Sequence, residues 1–248
     1  MTIRFSIDRW AAWAPGLPDR EAWLAWLAEP RALEGDGAPP LAEMAPMMRR
    51  RVERLGRIAL QAAYWGLDGR ESDGAPAGDC PLVFASRYGD IARSVELLRQ
   101  LAAGEALSPT AFSLSVHNAI GALFSIARSD TAAYTAVAAG AETAEAAFTE
   151  ALGLLADGAP AVLVVCYDEP LPPLYRSFAE HADFPRAWAC RLVRAEHGGF
   201  SLATAPGDGT AARGDWPADL AALRFLLSGD ERYVHRAGVR QWHWVRHA

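Results

Sequence analysis

The chain has 248 residues, 51% hydrophobic and 22% charged, enough to bury a sizeable core in one domain. Its net charge of −6 argues against a general nucleic-acid role, because phosphate binding needs a positive surface, and all 24 of its basic residues are arginine. No uninterrupted apolar run approaches the roughly 18 residues of a membrane span, so none is expected.

Ile3, Phe5 and Ile7 alternate with polar residues, the period of a half-buried strand. Arg4, Asp8 and Arg9 break up any leader-like apolar stretch, so the segment reads as a first strand and the protein as cytoplasmic. Asp19-Arg20-Glu21 opens a short helix around residues 23–27, and a Gly- and Pro-rich loop spans 34–40. After Pro46 one long helix is expected. Met48, Val52, Leu55, Ala59 and Ala62 recur at three- and four-residue steps, while Arg49, Arg50, Arg54 and Arg57 fill much of its other surface. Gly66 and the stretch 69–79 end it.

Residues 81–85 (PLVFA) form a buried strand, and 91–101 a helix with Ile91, Val95, Leu98 and Leu101 on one face. Ser108-Pro109 begins the next unit, and 112–127 reads as helical with an irregular start at His117-Asn118. Residues 132–138 are a strand of small and β-capable residues, 141–155 an Ala-rich helix closed by Gly158, and 161–167 (AVLVVCY) a strand covered on both faces. Strand–helix alternation from about 80 to 168 indicates α/β architecture. Beyond Pro170, residues 187–194 and 200–205 read as a hairpin joined through His197-Gly198-Gly199, 217–227 as a helix and 241–248 as a last strand.

Cys80, Cys166 and Cys190 are far apart and odd in number, which suits a reducing compartment rather than a disulfide framework. Cys166 ends a buried strand, but apolar Val165 and acidic Asp168 and Glu169 disfavour a thiolate, so it reads as structural. His243 and His247 stand at the spacing of a helical metal pair without an acidic or cysteine ligand nearby; neither a metal site nor a cofactor is expected. The tryptophans at 10, 13, 23 and 26 read as packing of the N-terminal lobe or as cover for a protein surface, ahead of a ligand stack.

From Phe84 to Asp168 the chain resembles, in order and spacing, the ketosynthase side of the thiolase-like superfamily. Ser86 and Gly89 match its strand ending in Ser before a helix. Ser108, Pro109, Phe112 and Asn118 match its Ser-Pro…Phe element leading to Asn. Residues 132–140, 141–155, Gly158 and 161–166 match the following strand, helix, turn and strand. The short chain-length factors of aryl polyene pathways are the relatives it looks most like. The resemblance implies one ketosynthase N-terminal-like domain over 1–248: a thiolase-like half, with a mixed sheet covered by helices on both faces, to about residue 170, and a β-containing extension over 171–248.

In active ketosynthases a cysteine stands where that strand meets the Ala-rich helix, activated by a sharp turn and the helix N-terminus. Matching places that position at Ala141 or Glu142, and neither can form a thioester. The second-half histidines have no counterpart either. The resemblance therefore implies a non-catalytic subunit in a heterodimer with an active ketosynthase, the strand holding Tyr134, Thr135, Ala136 and Val137 pairing across the dimer. Phe112, His117 and Asn118 would approach the partner's acyl tunnel, although His117 reads more readily as a satisfied structural histidine. Arg49, Arg50, Arg54 and Arg57 would meet an acidic acyl carrier protein, unless they are only a solvated helix face. Two other functions stay open at this level: a stand-alone thioesterase or acyltransferase using Cys166 or a serine, weakened by the lack of a Gly-x-Ser-x-Gly elbow, and a homodimeric carrier-binding scaffold.

Overall fold

The computed structural model of the chain describes residues 3–68, 80–211 and 214–248. Their strands form an eight-stranded mixed sheet in the order β3-β2-β4-β5-β1-β6-β8-β7. These are β1 (Phe5–Trp13), β2 (Leu82–Ala85), β3 (Tyr134–Val137), β4 (Val162–Asp168), β5 (Arg186–Arg194), β6 (Gly199–Pro206), β7 (Arg232–Ala237) and β8 (Arg240–His247). β3, β2 and β4 run parallel, and every other pairing is antiparallel.

Both faces of the sheet are covered, as the resemblance implied. Along β4 the side chains alternate between two cores: Val162, Val164 and Cys166 enter one, and Leu163, Val165 and Tyr167 the other. That is why this strand reads as an unbroken apolar run. Helices α1 (Arg20–Ala28), α7 (Thr143–Ala156) and α8 (Ala218–Leu227) cover the first face. There Phe148 meets Trp244 edge-on at 4.9 Å between ring centres, and Trp26 meets Phe184 at 5.3 Å. Asp19 caps α1 by accepting from Ala22 N, so the helix start read from Asp19-Arg20-Glu21 is found in place. Helices α3 (Arg54–Asp68) and α6 (Ala119–Arg128) cover the other face with Ile58, Ala59, Ala62, Ala63 and Phe124.

Several local expectations change. The long helix after Pro46 is two pieces, α2 (Pro46–Arg49) and α3, because the chain turns at residues 50–53 and Val52 dives into the core. Gly66 does not end α3 but lets it lie close on the sheet: a Cβ there would stand 2.8 Å from Ala189 Cβ and 3.0 Å from Leu163 Cδ1. The stretch 69–79 lies outside the described residues. The helix expected over 112–127 is likewise split, into α5 (Pro109–Ser113) and α6, with the break at His117-Asn118. Between β2 and α5 runs α4 (Ile91–Ala102), started by Asp90.

The hairpin through His197-Gly198-Gly199 does not form. β1 inserts between β5 and β6, pairing with β5 from Phe5↔Arg194 to Trp13↔Ala187 and touching β6 only at Phe5↔Phe200. Gly199 permits this crossing, since a Cβ there would lie 2.4 Å from Phe5 O. The hairpin lies further on: β7, which the sequence pattern missed, turns through Gly238 (φ 73°) into β8. Residues after 170 are thus no appendage, for β5 lies in the middle of the sheet between β4 and β1. Among the described residues no helix is long and apolar enough to cross a membrane.

Replacing Gly66 with valine should destabilise the fold by about 1–3 kcal/mol through overpacking of α3 on β4 and β5, read as a lower denaturation midpoint at unchanged m-value.

Candidate functional site

In an open α/β sheet the carboxyl ends of parallel strands gather the connecting loops, and sites form there. Here those ends bring together residues 86–90 after β2, 138–142 after β3, and Asp168-Glu169 at the end of β4. Asp168 is buried and its carboxylate organises the first loop. It accepts from Ser86 Oγ at 2.7 Å, Arg87 N at 3.0 Å and Tyr88 N at 3.2 Å, and Ser86 Oγ in turn accepts from Gly89 N at 2.8 Å. Burial pushes the Asp168 carboxyl up to about 6, against the opposing pull of Arg186 and its donors. Arg186 is itself buried, bound to Asp219 at 2.6 and 3.0 Å and to Asp183 at 2.5 Å.

The turn from β3 into α7 is sharp. Gly140 adopts φ 59°, and Thr143 Oγ1 closes the turn, accepting from Ala139 N at 3.0 Å and donating to Gly140 O at 2.8 Å. Gly140 is thus the left-handed residue of the turn, and it forms a single 3₁₀ turn with Ala141 and Glu142. None of the three carries a thiol or a hydroxyl. The space enclosed beside Ala141, Thr143, Cys166 and Asp168 is about 20 Å³, room for a water molecule and not for an acyl chain.

β3 is one edge of the sheet, and its four residues Tyr134, Thr135, Ala136 and Val137 are all half-buried. The carbonyls of Ala133 and Val137 accept from Leu82 N and Ser86 N, so the backbone groups of Tyr134 and Ala136 point to the open edge. His117 Nε2 also lies 3.2 Å from Val137 O, and its ring packs on Gly89 (φ 60°), where a Cβ would come within 2.6 Å of Nδ1. This clasp holds the α5–α6 loop, where Val116 is 41% exposed and Asn118 is exposed; on α5 before it Phe112 is 62% exposed. Leu98, Leu101 and Ile126 are 56–65% exposed on the neighbouring helices. Large apolar side chains thus stand uncovered on α4, α5, α6 and the α5–α6 loop, and α6 packs against the open strand.

Residues 23–245 match the family described as beta-ketoacyl synthase, N-terminal domain. The chain belongs to this family. It is similar to a chain of the ketosynthase ApeO in complex with its chain length factor ApeC from Xenorhabdus doucetiae, with 27% identity, a TM-score of 0.83 and coverage of 98% of this chain and 100% of that one. A beta-ketoacyl synthase from Burkholderia phymatum shares the fold at 14% identity and TM-score 0.63, covering 84% of this chain and 65% of that one. The ishigamide ketosynthase/chain length factor does so at 16% identity and TM-score 0.63, covering 83% and 68%. No protein of curated function matches the sequence.

Two carboxylates stand at the β3–α7 turn and the start of α7, each with a partner on the β7–β8 hairpin. Glu142 receives two bonds from Arg240, at 2.9 and 2.7 Å, and one from Trp242 Nε1 at 2.7 Å; the Arg240 contact holds its carboxyl below the usual range. One helical turn on, Glu145 is fully buried. His235 Nδ1 bonds its Oε1 at 2.8 Å and Trp244 Nε1 approaches at 3.4 Å, while Oε2 has no hydrogen-bond partner among the described residues. Burial lowers the His235 pKa, but the Glu145 contact outweighs it and the net shift is upward. The β7–β8 hairpin therefore clamps the start of α7. The sequence reading missed this cluster, because its halves lie about 90–100 residues apart.

The three cysteines are buried and unpaired. Burial, reinforced by Asp219, pushes the Cys166 thiol well up, and burial raises Cys80 and Cys190 too, so none is poised as a nucleophile. His243 and His247 lie on a strand, not a helix, and His247 bonds Ser201 at 2.8 Å; among the described residues no group of three ligands could hold a metal. The arginines do not share one helix: Arg49 ends α2, Arg50 follows it, and Arg54 and Arg57 belong to α3.

A histidine whose folded pKa is raised contributes stability that is fully present below its unfolded value, near 6.5, and is lost as pH rises through the folded value. His235→Ala should therefore cost about 3 kcal/mol near pH 6, with the gap from wild type narrowing toward pH 9 in paired urea titrations.

Proposed function

We propose that this chain is a non-catalytic ketosynthase-like subunit, a chain-length factor, that pairs with an active beta-ketoacyl synthase in polyketide- or fatty-acid-type biosynthesis of the aryl polyene kind. The observation that carries the reading is the β3–α7 turn, where Gly140, Ala141 and Glu142 offer no thiol or hydroxyl nucleophile and the carboxylates of Glu142 and, one helical turn on, Glu145 are anchored to the β7–β8 hairpin. The uncovered apolar side chains of α4, α5, α6 and the α5–α6 loop, with the open β3 edge, support a partner in place of a reaction. The likeness to a chain of the ApeO–ApeC complex favours a ketosynthase as that partner.

In this reading Tyr134 and Ala136 extend the sheet into the partner, His117 holds the α5–α6 loop, and Phe112 stands where its bulk limits the length of the partner's acyl chain. The role is steric, not covalent, and needs no cofactor. An acidic acyl carrier protein brings substrate to the pair. The three buried free cysteines suit a reducing compartment, and we place the pair in the cytoplasm.

Light scattering after mixing with a ketosynthase encoded beside it should give a one-to-one complex. Ala136→Pro should weaken that complex by about tenfold or more, since it removes an outward-facing donor at an edge. Phe112→Ala in the complex should lengthen the products seen by mass spectrometry. Condensation of malonyl and acyl thioesters by the purified chain alone would sink the proposal.

A further inference from the structure

One buried guanidinium serves three carboxylates at the carboxyl end of β4. Arg186, on β5, gives hydrogen bonds to Asp219 at the start of α8 and to Asp183 before β5. Asp168 is the third carboxylate: Arg186 attracts it, but among the described residues no hydrogen bond joins the two. The other charges around it are engaged elsewhere. In the loop after β2, Arg87 turns its side chain to Glu180 at 2.8 Å, and Asp90 pairs with Arg93 at 3.0 Å. On β4 and just past it, burial holds the Cys166 thiol and the Tyr167 hydroxyl protonated, and Glu169 pairs with Arg54. Tyr88 and His181 line the water-sized space beside the carboxylate, a route by which a proton reaches it.

Asp168 holds the partner-facing edge through Ser86. Ser86 Oγ donates to Asp168, while Ser86 N donates to Val137 O, the last carbonyl of β3, at 3.2 Å. His117 Nε2 lies 3.2 Å from the same carbonyl, and its ring rests on Gly89, whose N–H is held by Ser86 Oγ. Strand β3, residues 86–89 and the α5–α6 loop are thus fastened to one carboxylate. A proton there removes the charge that strengthens its three bonds and makes a donor of an oxygen that faces donors.

We infer that Asp168 is a positioning residue for the β3 edge and the α5–α6 loop, and that its protonation releases them, so that mild acid uncouples this chain from its ketosynthase. The consequence for the partner rests on the pairing reading above; the relay lies wholly within this chain. With the Asp168 carboxyl pushed up to about 6, the proton is taken up close to neutral pH. A carboxyl raised on folding binds its proton more tightly in the folded state, so its contribution to stability grows as pH falls toward the ordinary carboxylate range. Glu169 and His235 are also shifted up, and Glu142 and Asp219, shifted down, lose their contribution only below that range. Acid near pH 5 therefore frees the loop without melting the fold.

Affinity for a ketosynthase encoded beside this chain is titrated at about pH 7.5 and about pH 5, with urea midpoints measured alongside. Pairing should weaken about tenfold at the lower pH, as the ionised fraction of Asp168 falls, while the midpoint does not fall. Asp168→Asn puts an NH2 among donors. It should weaken pairing about tenfold at the higher pH and leave less than about a twofold difference between the two. Ser86→Ala, which cuts the link but keeps the carboxylate, should weaken pairing about threefold and serves if Asp168→Asn does not fold. Gly66→Val, destabilised where α3 meets β4 and β5, should keep the wild-type affinity within about twofold and the wild-type pH dependence. Equal wild-type affinity at both pH values overturns the inference, as does a wild-type pH dependence in Asp168→Asn or unchanged affinity in Ser86→Ala. No pairing at either pH sinks the proposed function instead. Hydrogen exchange over residues 112–118 of the isolated chain, corrected for its intrinsic pH dependence, then decides the relay. Protection lost near pH 5 supports it, and protection independent of pH overturns it.

Discussion

Asp168 closes the most deeply buried strand of the sheet, and its carboxylate draws a hydroxyl and two backbone N–H groups from residues 86–88 onto one point. A carboxylate out of water is costly unless its oxygens are bonded, so the loop after β2 is held as firmly as the strands beneath it. That loop ends in Gly89, whose missing side chain admits the His117 ring, and His117 in turn binds the last carbonyl of β3. A buried charge at the sheet's centre thus sets the position of a surface loop at its edge.

The neighbouring turn keeps a tight strand-to-helix geometry with no thiol or hydroxyl on Gly140, Ala141 or Glu142. The strand, the tight left-handed residue and the following helix are all present, and they are the parts that would aim a nucleophile. The chain places a glycine at the apex and then anchors Glu142 and Glu145 to a hairpin about a hundred residues later. Negative charge near a helix N-terminus is favourable for the helix, and Arg240 and His235 pair with the two carboxylates.

Much of this was legible in the chain itself. The unbroken run from Val162 to Tyr167, the Ala-rich helix before it and the capping Asp19 carry their structure in local pattern, because burial on two faces and helix initiation are properties of neighbouring residues. The break at His117-Asn118 was also visible, as an irregularity in a helical period. Mistakes came where a distant segment overruled a local signal. Gly198-Gly199 has the composition of a hairpin turn, yet β1 takes the place beside β5. The arginines near Arg54 have the spacing of one helical stripe, yet Val52 is drawn into the core and the helix breaks.

Sequence by itself determined the strand and helix periods, the absence of a sulfur at the β3–α7 turn and the family to which the chain belongs, because each is written in residue type and near-neighbour spacing. Only the tertiary structure decided which edge of the sheet is open, which arginines are paired and which carboxylates are buried. Those depend on pairs such as Glu145 with His235 and Asp168 with Ser86, brought together by folding from positions 90 and 82 residues apart, where no local pattern reaches.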